Sequence, residues 1–318
     1  MFTVIQMDKK DLRIVFMGTP DISAYVLEAM INDGYNILGV VAQPDRPVGR
    51  KGQLEKVPTK VVAEKYNIHV FQPIKIRKDY RFIEDINPDV IITLAYGQIV
   101  PEGLLQIPKY GCLNLHGSLL PKYRGAAPIQ YALINGDKKT GMSLMEMVQE
   151  MDAGRVYAVK EVEISDEDNA TSLFKKMGEA AKELILEKLP DYIDNKLFGI
   201  PQNKELVSFC PTIKPEQEKL SLEYSVDQMF GWIRGLSDQP GAYLLLDGQK
   251  FKIYRAAIHN RNIVDIPGTI IQADKNGLIL QCLDGQLALL EVQKEGKKRM
   301  DYKSFLNGNH DLLNKKLD

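Results

Sequence analysis

Residues 88–96, PDVIITLAY, hold an apolar run interrupted only by Thr93. It is too short for an ordinary helix and too uniform for a strand with one wet face. Such a run is a strand covered on both faces, which calls for a parallel sheet with helical crossovers above and below it. Other segments obey the same rule. LRIVFM (12–17) ends in Gly-Thr-Pro-Asp, NILGVVAQP (36–44) follows the helically spaced ISAYVLEAMIND, and YGCLNLH (110–116) completes the set. Helical spacing recurs at 58–67 and 80–87, so strand and helix alternate. The first half is expected to be an open, mostly parallel, Rossmann-like α/β sheet with helices on both faces.

The pattern changes further along. Strands are expected at 141–149 and 155–164, and TSLFKKMGEAAKELILEKL (171–189) has the spacing of an amphipathic helix. Residues 190–220 lose periodicity and gather prolines, as a connector does. After a short helix around 225–235, apolar runs alternate with turns containing Asp247–Gly248, Asn276–Gly277 and Asp284–Gly285, which are strong hairpin signals. A small OB-like β-barrel is expected there. Single cores rarely grow beyond roughly 250 residues, so the 318 residues divide into two domains, 1–205 and 206–318, the second including part of the connector.

Charge and cysteine content narrow the function classes. Lys plus Arg (41) balance Asp plus Glu (42), against a chain coated in positive charge for sequence-blind nucleic-acid binding. Cys112, Cys210 and Cys282 are odd in number and far apart, which supports neither a disulfide framework nor a zinc site and fits a reducing cytoplasm. With only four His no metal site is expected. No apolar run reaches the roughly 18 residues of a membrane span, and MFTVIQMDKKDLR is too short and too charged for a signal peptide. Residues 1–6 read as an extension ahead of the first strand, with Met7 as an alternative start.

Chemistry concentrates in a few places. Asn114 and His116 sit two apart at the end of an expected parallel strand, so both point to one side at the edge where such sheets bind ligands. A satisfied core pair is the open alternative. The loop GSLLPKYRGAAP (117–128) gathers small residues that let a ligand approach backbone N–H groups. Asp152, in MDAGR, falls in a turn between two strands, where an Asx-turn would also explain it. Between the second strand and its helix lies QPDRPVGRKGQLEKVPTK, too rich in Pro, Gly and charge to continue either element. Within 44–60 it sets Arg46, Arg50, Lys51, Lys56 and Lys60 against Asp45 and Glu55, a phosphate-contact candidate or simply a solvated loop. KEGKKRMDYK (294–303) is equally ambiguous. There is no GxSxG, GxGxxG or GxxxxGK[ST], so nucleophilic-serine, dinucleotide and P-loop chemistry are disfavoured.

Taken together, RIVFMGTPD (13–21), AQPDRPVGR (42–50), LAYGQIVP (94–101), NLHGSLLPKYRGAAPIQ (114–130) and MDAG (151–154) resemble the folate-dependent formyltransferases, and PDRPVGR with the β domain narrows the likeness to the tRNA-directed family. The resemblance implies transfer of a formyl group from 10-formyltetrahydrofolate to initiator methionyl-tRNA; a monomer is expected because no obvious association helix appears in the sequence. It carries over Asn114, His116 and Asp152 as catalytic, Ser118, Leu119, Leu120 and Pro121 as folate-contacting, and the loop with Arg46, Arg50 and Lys51 as tRNA-contacting. Attack by the amine on the formyl carbon creates an oxyanion, for which Asn114 and His116 are suitable donors, with Asp152 orienting the imidazole. Many members have Asp-Trp where this chain has Ser221–Leu222, Trp-Pro near Gln239–Pro240, and a residue other than Arg155 after Asp-Ala-Gly.

Overall fold

The computed structural model describes residues 8–48 and 52–318. In chain order the elements are β1 (Arg13–Gly18), α1 (Asp21–Asn32), β2 (Asn36–Val41), β3 (Arg46–Val48), β4 (Gln53–Glu55), α2 (Pro58–Lys65), β5 (Val70–Phe71), α3 (Arg81–Ile86), β6 (Val90–Leu94), α4 (Glu102–Leu105), β7 (Cys112–His116) and β8 (Arg124–Gly125). There follow α5 (Pro128–Ile134), β9 (Lys139–Glu146), β10 (Val156–Glu163), α6 (Ala170–Ile193), β11 (Phe209–Cys210), α7 (Val226–Gly235), β12 (Ala242–Leu246), β13 (Gln249–Asn260), β14 (Ile270–Asp274), β15 (Gly277–Gln281), β16 (Gln286–Lys294), β17 (Met300–Asp301) and α8 (Tyr302–Leu306). Two compact units result. One takes the chain up to Gly125, Thr140–Val162 and Phe174–Phe209; the other takes Ala126–Lys139, Glu163–Leu173 and Cys210–Asp318.

In the first unit a seven-stranded sheet runs β10-β9-β7-β6-β1-β2-β5. The pairs β5–β2, β2–β1, β1–β6 and β6–β7 are parallel, and β9 joins β7 antiparallel. Every residue of β6 is buried, Thr93 included, as its largely apolar run requires of a strand with two covered faces. Ile14, Phe16, Ile91 and Ile92 are wholly buried, and each such side chain contributes about 1.5–3 kcal/mol of burial. Helix α6 presents Met177, Ala181, Leu184 and Ile185 inward at helical spacing. It runs beyond the expected end at 189: Pro190 removes one donor, yet the turn continues to Ile193 and Asp194 N–H caps the Pro190 carbonyl (3.0 Å).

The stretch expected to be an irregular inserted loop contains a short hairpin. Strands β3 and β4 pair antiparallel, Arg46 opposite Glu55 and Pro47 opposite Leu54. Arg50 and Lys51 lie outside the described residues. What closes the hairpin is Asp45, whose Oδ1 accepts from Val57 N (3.3 Å) and Gln72 Nε2 (2.8 Å) while Oδ2 accepts from Lys60 Nζ (2.5 Å). Burial alone would raise the Asp45 carboxyl, but the hydrogen bonds from Lys60, Gln72 and Val57 outweigh it and hold it below the usual carboxylate range. A depressed folded-state pKa adds stability above the unfolded value, about 3.9, and loses it as pH falls through the folded value. Amide exchange at Val57, corrected for its intrinsic rate, is therefore expected to stay flat from pH 7 to 5 and to lose protection only below about pH 4. Deprotection that begins above pH 5 would contradict this anchoring.

The second unit holds α5, α7, α8 and an antiparallel sheet ordered β12-β13-β16-β15-β14, with β17 added on β16. Phe251, Ile253, Leu280 and Leu287 fill its core with Met229 and Ile233 of α7, and Leu222 packs against it. Ser225 starts α7 through a capping box: its Oγ accepts from Gln228 N (3.1 Å) and its N–H donates to Gln228 Oε1 (2.9 Å). Helix α5 approaches so closely that a Cβ on Gly231 would lie 2.3 Å from the Ile134 carbonyl oxygen. Asp247 and Gly248 both have positive φ, as a two-residue primed turn demands. At the Asn276–Gly277 signal the turn sits one residue earlier, on Lys275–Asn276, because the Asp274 carboxylate captures the Asn276 N–H (2.7 Å).

Between β12 and β14 the sheet leaves a gap, and residues 314–318 span it. Asp318 exchanges both backbone hydrogen bonds with Leu245 (2.7 and 2.9 Å). On the other side Leu317 N–H donates to Gly268 O (2.8 Å), Ile270 N–H to Lys315 O (2.8 Å) and Asn314 N–H to Ile270 O (2.8 Å). This segment thus bonds to both edges of an otherwise open antiparallel sheet.

Candidate active site

At the carboxyl end of β7, pleating puts Asn114 and His116 on one side of the strand. Asn114 lies beside Thr93 of β6 and opposite Met145 of β9, while His116 faces Ser143. The half-buried Asn114 amide makes no hydrogen bond among the described residues. His116 is 5% exposed, and its Nε2 lies 2.8 Å from the Tyr123 carbonyl oxygen. A carbonyl can only accept, so Nε2 carries the proton and Nδ1 holds the lone pair of the neutral ring. Of the two expected oxyanion donors, only Asn114 keeps N–H groups uncommitted.

Asp152 comes to His116 from the β9–β10 turn. Its Oδ2 lies 3.7 Å from His116 Nδ1, too long for a hydrogen bond, and accepts from Gly125 N (2.8 Å). No Asx-turn is needed to explain this aspartate, because its carboxylate reaches another loop. Its backbone is left-handed, with φ of 51°. The turn is pressed onto β9: a Cβ on Gly154 would stand 2.1 Å from the Glu146 carbonyl oxygen, so MDAG closes on a residue with no side chain. Asn114, His116 and Asp152 are thus brought together.

The loop after β7 is held from beneath by Ser143, whose Oγ donates to Ser118 O (2.7 Å) and accepts from Leu120 N (3.2 Å). Ser118 is buried and its Oγ donates to Lys122 O (2.5 Å), so its hydroxyl shapes the loop, while Leu119, Leu120 and Pro121 are half-buried. Ser143 was invisible as a site residue in the sequence, since a serine within a strand carries no spacing signal. At the neighbouring ends of β1, β2 and β6 a cavity of about 400 Å³ is lined by Thr19, Gln43, Arg46, Lys56, Val57 and Tyr96 among others. Arg46 is exposed and forms no ion pair among the described residues, whereas Lys56 pairs with Glu64 (2.7 Å). Among the described residues no group of three or more His, Cys, Asp and Glu is placed to hold a metal ion. Among the described residues no helix is long and apolar enough to cross a membrane.

Residues 12–189 match the model of the Formyl transferase family, and residues 212–310 that of the Formyl transferase C-terminal domain. A methionyl-tRNA formyltransferase of Lactobacillus acidophilus is 46% identical over 298 residues, covering 93% of this chain and 95% of its own. The chain belongs to the methionyl-tRNA formyltransferase family. A second such relative, from Malacoplasma penetrans, is 40% identical over 303 residues, with 95% of each chain covered. Among solved structures, an N-formyltransferase from Helicobacter canadensis in complex with folinic acid and dTDP-3-aminofucose superposes with a TM-score of 0.68 at 16% identity, over 89% of this chain and 99% of that one. HypX from Aquifex aeolicus, in complex with tetrahydrofolic acid, gives 0.65 at 15% identity, over 95% of this chain and 48% of that one. At such identities the likeness speaks to the fold alone.

Proposed function

We propose that the protein transfers the formyl group of 10-formyltetrahydrofolate to the α-amino group of methionine on initiator methionyl-tRNA, as a cytoplasmic monomer. The observation that carries the chemistry is the convergence of Asn114, His116 and Asp152 beside the half-buried loop 119–121. Leu119, Leu120 and Pro121 offer apolar faces suited to a pterin, and Ser118 holds the loop in shape. The methionine nitrogen attacks the formyl carbon. Its carbonyl oxygen becomes an oxyanion facing the Asn114 amide, which has both N–H groups available. The lone pair on His116 Nδ1 takes the proton lost by the amine, with the Asp152 carboxylate 3.7 Å from that nitrogen. As the carbon–nitrogen bond to the folate breaks, the imidazolium returns that proton to folate N10. The products are formylmethionyl-tRNA and tetrahydrofolate.

For the acceptor, support comes from the full-length relatives and from Arg46 and Lys56 in the lining of the cavity; we place the 206–318 domain on the tRNA as well. The deciding experiment offers the purified protein 10-formyltetrahydrofolate with initiator methionyl-tRNA, elongator methionyl-tRNA, glycinamide ribonucleotide or an amino-sugar nucleotide. Formylmethionine from the initiator species is the expected product, and formylation of a small acceptor alone would overturn the reading. Arg46→Ala is expected to raise KM for tRNA several-fold, leave KM for folate unchanged, and lower the salt slope of log KM by about 1, the signature of one lost phosphate contact. Unchanged tRNA kinetics would return the hairpin to a solvated loop.

A further inference from the structure

We infer that the connector segment 202–208 braces the acid–base pair, with Gln202 and Ser208 as positioning residues for Asp152 and His116. The inference rests on the catalytic reading above. Two residues around the pair hold left-handed backbone without being glycine, Tyr123 at φ of 57° and Asp152 at 51°. Such conformations persist only where the surroundings enforce them. In both cases the enforcing contact comes from this segment.

Gln202 uses the whole of its amide. Nε2 donates one hydrogen to Asp152 O (2.8 Å) and the other to Gly154 O (2.8 Å), spanning the turn that carries the carboxylate. Oε1 accepts from Arg124 Nε (3.0 Å). Turning the amide over would set oxygen against two carbonyls and NH₂ against a guanidinium, so one orientation alone satisfies all three contacts. Six residues on, Ser208 Oγ accepts from Tyr123 N (3.0 Å) and Ser208 O accepts from Arg124 N (2.8 Å). Tyr123 is the residue whose carbonyl fixes the His116 tautomer, and Gly125, two residues further, binds the Asp152 carboxylate through its N–H. The segment therefore holds loop 123–125 and the Asp152 turn at the separation that puts Oδ2 beside Nδ1. The Gln202 and Ser208 side chains bond to backbone atoms and to Arg124 rather than to the imidazole or the carboxylate, which makes both positioning residues.

The test is a double-mutant cycle in single-turnover formylation of methionyl-tRNA. Gln202→Leu is expected to lower the transfer rate at least about tenfold with both KM values within about twofold, and Asp152→Ala/Gln202→Leu to be no slower than Asp152→Ala, because a residue acting through Asp152 has nothing left to position. Ser208→Ala removes one hydroxyl and keeps the backbone bonds. It is expected to slow transfer about threefold to tenfold without altering folate binding, and it carries the test should Gln202→Leu fail to fold. Wild-type rates in Gln202→Leu, or a double variant slowed by the full product of the two single effects, would overturn the brace. An inactive wild type, or an active Asp152→Ala, would instead count against the catalytic reading.

Discussion

Asn114→Ala is expected to slow formyl transfer about a hundred- to a thousandfold, which is what loss of one oxyanion donor costs in a preorganised site, about 2.7–4 kcal/mol. The size follows from what the side chain is doing before any substrate arrives. Its amide has no hydrogen-bond partner among the described residues, so no such bond needs to be broken when the oxyanion forms, and the strand that carries it is locked between β6 and β9. Because Asn114 is half-buried and unbonded, its removal leaves no orphaned group in the core, and thermal unfolding should stay close to wild type. The measurement is a single-turnover rate beside a melting curve. A variant that is folded and fast would remove Asn114 from the chemistry.

His116→Ala should be comparably severe, about a hundred- to ten-thousandfold, since it deletes the proton acceptor. Here stability is expected to fall as well. The Tyr123 carbonyl would lose its donor in a buried place, at about 1–3 kcal/mol. His116→Gln separates the two effects: its amide can supply an N–H to that carbonyl but has no base to offer, so it should recover stability and remain slow. Recovery of rate in the glutamine variant would show that the imidazole orders the loop and moves no proton.

How much of this was legible in the sequence depended on whether the signal was local. Largely apolar runs identify β1 and β6 because burial on both faces leaves a mark in each residue. Asn114 and His116 are legible for the opposite reason, as polar residues where that pattern forbids them. Asp152 was recognisable as a turn residue, but whether its carboxylate closed its own turn or reached elsewhere depends on Gly125, distant in the chain. The antiparallel entry of β9 is another such case, since strand composition records burial and not direction. Gln202 and Ser208 lie in a stretch whose lack of periodicity reads as surface connector, and apart from the Gln202–Arg124 side-chain contact their bonds go to backbone atoms, which any sequence can supply. The hairpin at 46–55 was obscured by proline and glycine, which weaken strand propensity, while the Asp45–Lys60 contact that closes it spans 15 residues.

The tail at 314–318 gives the second unit an order of events. Translation delivers this unit's strands before the segment that joins its two edges, so spatial order and order of synthesis are opposed. A nascent chain presented as far as Leu312 already contains every strand from β12 to β17, yet the N–H and C=O groups of Leu245 and Ile270 await their partners. Edges in that state are templates for pairing with any other extended chain. The last few residues of the segment thus act as a stopper for two adhesive margins at once.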